Sequence, residues 1–166
     1  MTDVMNTQRS DRPMTDESTY SEEEMHRKFA RDCFNHVWTL MEKDERTTEE
    51  DDEMVHAAHA SRFHWGKVGT PVNLARGEWQ ISRVYAELGS AEAAKYHALR
   101  CLSICEENNI GDFDLAFAYE AVARASALAG HKAERDQYLA LAREVGSKID
   151  KEEDRKWLMQ NLDSIR

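Results

Sequence analysis

Apolar side chains recur at helical spacing along most of the chain. After Ser21, whose S-x-x-E pattern with Glu24 is that of a capping box, Met25, Phe29, Cys33, His36, Val37 and Leu40 fall three or four residues apart, predicting a helix over about 22–43. The acidic run EKDERTTEEDDE interrupts the stripe. Within it Thr47 and Glu50 form a second capping box, with acids gathered where a helix N-terminus favours negative charge, so a second helix is expected over about 48–66. Gly66 and Gly69 read as its stop, and Thr70-Pro71 as the N-cap and first-turn proline of a third helix striped by Leu74, Ile81, Ser82, Tyr85 and Leu88. Gly89-Ser90 opens a fourth helix over about 91–107, and Asn108, Asn109 and Gly111 break it. Asp112 is expected to cap a fifth helix, Gly130 to end it, and a sixth to run to about 147. Asp150 with Glu153 offers a capping box to a last helix, in which Trp157, Leu158, Leu162 and Ile165 share a face. No segment sustains period-two alternation, so the fold class is all-α, about seven helices, with every glycine read as a helix-end residue.

The first 20 residues are polar and without periodicity, too poor in apolar surface to offset the entropy of ordering; a disordered acidic and polar tail is expected over 1–20, ahead of one domain over 21–166. Inside that domain the third and fifth helices repeat. A shift of 41 sets Arg83 on Arg124, Ala86 on Ala127, Gly89 on Gly130, Ile81 on Val122 and Ser82 on Ala123. A shift of 42 sets Ala91, Glu92, Tyr96, Ala98 and Leu99 on Ala133, Glu134, Tyr138, Ala140 and Leu141. Two helices and a tight glycine turn at a fixed period are the pattern of an α-solenoid, with a divergent first hairpin over 21–69, repeat hairpins over 70–109 and 112–149, and a capping helix over 150–166.

Over about residues 72–147 the chain resembles the tetratricopeptide repeat family in a longer-helix form. Ile81, Ser82, Tyr85, Gly89, Ala94 and Cys101 fit its pattern in the first repeat, with Trp79 one position from an expected aromatic. Tyr119, Val122, Ala123, Gly130 and Ala142 fit in the second, while Ser126 and Arg135 depart from it, and the period, which HEAT-type helical repeats also fit, exceeds the family's usual ~34 residues. The resemblance implies a TPR-like scaffold whose first helices line a concave face, with Arg76, Trp79, Arg83, Phe117, Tyr119 and Arg124 as partner-binding residues. Trp79 and Ala121 occupy neighbourhoods where the chaperone-tail clamps of that family need polar groups, so that specificity is not expected.

Charge narrows the partner. Lys and Arg number 22 against 32 Asp and Glu, for a formal net charge of -10, which repels phosphate backbones; the expected partner is a protein or peptide, an acidic one where it meets His64, Lys67, Arg76 and Arg83, or a second copy, and not nucleic acid or membrane. Nothing approaches the roughly 18 consecutive apolar residues of a membrane helix, and the start lacks a signal peptide's basic and apolar stretches, so a cytoplasmic protein is expected. Three cysteines are read as reduced thiols.

A second reading begins from CFNH and HAAH. If the first two helices are antiparallel, residue 36 lies level with about 55 and residue 33 with about 58, so that Cys33, His36, His56 and His59 could hold zinc, hydrolytic if a coordination position stays open. Asp52 would ligate or orient an imidazole. Against it, His36 and Cys33 lie in the apolar stripe of the first helix, where both are ordinary core residues. Cys33 with a His36 base supplies no oxyanion site, and Glu23-x-x-His26 with Glu53-x-x-His56 lacks the further inward glutamates of a di-iron bundle. No phosphate loop, nucleophile elbow or zinc-protease motif occurs, so no catalytic residue is assigned and zinc is the only cofactor entertained.

Overall fold

The computed structural model describes residues 20–166; the tail expected over 1–20 lies outside the described residues except for Tyr20, which is exposed. Among the described residues the fold is all-helical: α1 (Glu22–Met41), α2 (Thr48–Val68), α3 (Pro71–Glu87), α4 (Ala91–Glu107), α5 (Asp112–Leu128), α6 (Lys132–Gly146) and α7 (Glu152–Asp163). None of these helices is long and apolar enough to cross a membrane.

Local hydrogen bonds set where the first helices begin. The hydroxyl of Ser21 accepts from the Glu24 N–H (3.2 Å) while the Glu24 carboxylate accepts from the Ser21 N–H (2.8 Å). Thr47 and Glu50 repeat the exchange at 3.2 and 3.0 Å. Ahead of Pro71, Asn73 Oδ1 accepts from both the N–H and the hydroxyl of Thr70 (2.9 and 3.0 Å). Each exchange satisfies donors that a helix start leaves orphaned. Two expected caps do not form. Asp112 stands inside α5 with φ 49 after an N-cap at Gly111, and α7 starts after Lys151 without a side-chain cap, so the Asp150–Glu153 box is absent.

The two glycine turns match bond for bond. Gly89 and Gly130 take φ 74 and 75, the left-handed conformation that a Cβ disfavours. Around them Ser90 N–H donates to the Tyr85 carbonyl (2.8 Å) and His131 N–H to the Ser126 carbonyl (2.9 Å), an identical closure 41 residues apart.

Successive helices form antiparallel pairs. Ser61 donates to the Ala30 carbonyl (2.7 Å) between α2 and α1, and Ser82 to the Ala94 carbonyl (2.8 Å) between α3 and α4. α2 packs on α3 and α4 on α5, while the odd-numbered helices also touch one another, α1 on α3, α3 on α5 and α5 on α7. One apolar cluster joins Val37, Leu40, Met54, Ala57, Ala58, Ile81 and Val84; a larger one runs from Ala75 and Trp79 through Phe117 and Val122 to Leu158 and Leu162. α3 belongs to both. Full burial of each large aliphatic side chain in them contributes about 1.5–3 kcal/mol.

Two glycines read as helix ends lie inside helices instead. Gly66 lies within α2, and Gly77 lies mid-α3, where a Cβ would sit 2.7 Å from Arg62 Cδ; its absence lets the Arg62 side chain of α2 lie against α3. At Gly146, the last residue of α6, a Cβ would run into Leu158 Cδ2 of α7. Gly146→Ala should therefore destabilise by about 1–3 kcal/mol in urea unfolding, although alanine is the better helix former. In a double-mutant cycle with Leu158→Ala that cost should shrink, because the shortened side chain vacates the space. Additive costs would mean that Gly146 does not set the α6–α7 distance.

Candidate functional site

Each odd-numbered helix places at least one aromatic residue in a common row. Trp38 of α1 lies 5.8 Å from Trp79 of α3, ring centre to ring centre; Trp79 meets Phe117 of α5 edge-on at 5.6 Å and Trp157 of α7 at 6.1 Å. Trp157 in turn stacks on Phe113 (5.9 Å, 16°) and lies 4.5 Å from Phe117. Together with Phe34 these rings line a cavity of about 640 Å³, within the range of small-ligand and side-chain pockets. Ala75, Cys101, Arg76, Glu42, Asp114 and Asp154 complete its wall.

Polar contacts fix the row from behind. The Trp79 indole N–H donates to Glu120 (3.1 Å), a carboxylate that is 1 % exposed. Arg124 Nε donates to the other Glu120 oxygen (2.7 Å), and Arg83 approaches the same oxygen at 3.7 Å. Both arginines extend to α7: Arg83 donates to Asn161 Oδ1 (3.0 Å), and Arg124 to the Asn161 carbonyl and the Ser164 hydroxyl (3.0 and 3.1 Å). At the front Arg76 forks onto Asp114 (2.7 and 3.0 Å). Those bonds hold its guanidinium above the ordinary range against the pull of burial, and the charge of Asp154 adds to the hold. Gln80 donates to the Phe34 carbonyl (2.9 Å), tying α3 to α1 beside the cavity.

Of the residues expected at a partner surface, Trp79, Phe117 and Arg76 line this cavity. Arg83 and Arg124 spend their donors inside the molecule, and Tyr119 lies against Tyr138 of α6 at 5.9 Å. Lys67 sits away from the cavity with its ammonium 5.2 Å from the Phe63 ring centre. Phe34, Trp38, Phe113 and Trp157 were not singled out as site residues, yet positions 38, 79, 117 and 157 are aromatic at separations of 41, 38 and 40, a signal independent of the glycine repeat.

Of the four candidate zinc ligands Cys33, His36, His56 and His59, the two histidines His36 and His59 take separate partners. His36 Nε2 lies 2.9 Å from Glu53, and His59 Nε2 lies 3.1 Å from the Tyr85 hydroxyl. Burial, with the charge of Asp32, pushes the Cys33 thiol up, away from the thiolate that metal binding or nucleophilic attack requires. Among the described residues no three His, Cys, Asp or Glu side chains form a group that could hold a metal. The cysteines are free; the Cys101 thiol is pushed well up by its hydrogen bond with Cys105 and by burial.

A second polar cluster lies between α2, α3 and α4. Buried Glu78 meets Arg62 Nε (3.0 Å) and His97 Nδ1 (2.7 Å), and His97 stacks on Tyr85. Burial pushes the Glu78 carboxyl up, but the His97 hydrogen bond and the charges of Arg62, His97 and Arg100 outweigh it and hold it below the ordinary value. Among the described residues no hydroxyl or thiol is hydrogen-bonded to His97, and the cluster reads as a polar joint between helices.

Comparison with known proteins finds no matching family model, no matching curated protein and no matching solved structure.

Two outcomes follow from these contacts. Glu120→Ala leaves the mostly buried Arg124 without its carboxylate and Arg83 with Glu87 alone, and should cost about 3 kcal/mol, with loss of near-ultraviolet ellipticity as Trp157 loosens; an unchanged urea midpoint would show the network to be dispensable. Burial and the neighbouring His97 and His56 depress the His59 pKa, and burial with His26 depresses that of His64, both from an ordinary 6.5. The unfolded chain takes up these protons first, so stability is complete above about pH 6.5 and falls as pH drops through the folded values. The urea midpoint should decline between about pH 7 and pH 5.5, less so in His64→Gln. A flat profile would contradict this.

Proposed function

We propose that the protein is a non-catalytic, TPR-like helical-repeat scaffold that binds a peptide segment of a partner protein in the cavity between α1, α3, α5 and α7. The observation that carries this reading is the cavity of about 640 Å³, to which four helices distant in sequence each contribute at least one aromatic ring. The matching turns at Gly89 and Gly130 and the side-by-side odd-numbered helices support a repeating hairpin plan. In that plan first helices form one continuous surface, suited to an extended ligand. Arg76, Trp79 and Phe117 then act at the surface, while Arg83 and Arg124 act one step behind it by holding α7. A reducing, cytoplasmic setting agrees with three free thiols.

Displayed random peptides selected on the wild-type protein test the reading. Binding of the selected peptides should weaken at least about ten-fold in Phe34→Ser and in Trp157→Ser, as for loss of an aromatic anchor, and stay unchanged in Tyr96→Ser, which alters an exposed ring on α4 outside the cavity. Peptides that bind all three variants equally would sink the assignment of this cavity.

A further inference from the structure

The charged groups around the cavity are unequal in number and in freedom. Four line it: Glu42, Asp114 and Asp154 are acidic, and Arg76 alone is basic among the described residues. Arg76 is engaged, because its planar fork lies along both oxygens of Asp114 at 2.7 and 3.0 Å. A ligand carboxylate would have to displace Asp114, a trade of one charge-assisted pair for another in which Asp114 is left unpaired beside Asp154. Two acids remain for a ligand. Glu42 makes no side-chain contact with a cation among the described residues; Asp154 bonds directly to Lys151 from outside the cavity, at 3.2 Å, and its charge reaches Arg76 only from beyond ion-pair distance. The Lys151 side chain is 65 % exposed, so water and salt weaken that pair. The walls favour the same sign of ligand. Aromatic faces carry negative electrostatic potential, and Trp faces attract ammonium and guanidinium groups most strongly. The whole chain, at a formal net charge of -10, steers cations towards itself.

From this charge complementarity, and resting on the peptide-site reading above, we infer that the cavity between α1, α3, α5 and α7 takes a basic peptide segment: an apolar or aromatic side chain among the six rings, flanked by lysine or arginine facing Glu42 and Asp154. This reverses the acidic partner suggested by the local run of basic residues around positions 64–83. Of those residues only Arg76 reaches the cavity, and it arrives already paired.

Blocked hexapeptides with one Leu-Phe pair flanked by Lys, Ser or Glu test the inference by titration of isotope-labelled full-length protein. The indole N–H signals of Trp38, Trp79 and Trp157 report on the cavity, and Trp65 of α2, which does not line it, is the internal reference. The Lys-flanked peptide should move the three cavity signals and bind at least about five-fold more tightly than the Glu-flanked one at low salt, with the gap closing as salt rises. Glu42→Lys/Asp154→Lys should abolish that preference. If the Glu-flanked peptide binds as tightly or more tightly, the charge inference is overturned and the peptide site stands. If tetramethylammonium moves the same signals as strongly at equal concentration, the ligand is a small cation and the inference also fails. If no peptide moves them at millimolar concentration, the peptide-site reading falls together with it.

Discussion

The hydrogen bond from the Trp79 indole to Glu120 ties the central ring of the cavity to the polar network behind it (3.1 Å, buried). A carboxylate cannot lie 1 % exposed without compensation, and Arg124 and Arg83 supply it. Once drawn inward, those two guanidiniums have donors to spare, and they satisfy them on Asn161 and Ser164 at the end of α7. α7 is thereby set so that Trp157 lies on Phe113 and Phe117. One desolvated charge thus aligns three helices and shapes one wall of the pocket.

Shape elsewhere comes from side chains that are missing. Gly77 admits the Arg62 side chain against α3, and Gly146 admits Leu158 against α6. Buried Ala94, Ala98, Ala116 and Ala118 keep the middle helices close, as small residues do wherever helix backbones approach. The consequence is a molecule in which α3 shares two apolar clusters, the larger of which holds Trp79 at the cavity.

The polar residues that drew notice in the sequence divide by what surrounds them. Arg83 and Arg124 are equivalent positions in the 41-residue shift, and both do converge, on Glu120 and α7 rather than on the cavity. His36 and His59 sit on neighbouring helices as the hairpin geometry required, but Glu53 and Tyr85 engage them separately. Equivalence of position was legible; the partner each side chain would choose was not, because that choice depends on competing groups delivered by other helices.

Helix identity, the capping boxes at Ser21 and Thr47, and the glycine turns could be read from the chain alone, because each rests on bonds between residues three to five apart and on a 3.6-residue stripe. The all-helical class followed from them. Packing decided what no local pattern contains: that Trp38, Trp79, Phe117 and Trp157 share one wall, and that Arg76 closes on Asp114 and so leaves the cavity acidic. Those contacts join residues about forty positions apart, and their energy depends on burial and on the charges brought beside them, quantities that exist only once the helices have met.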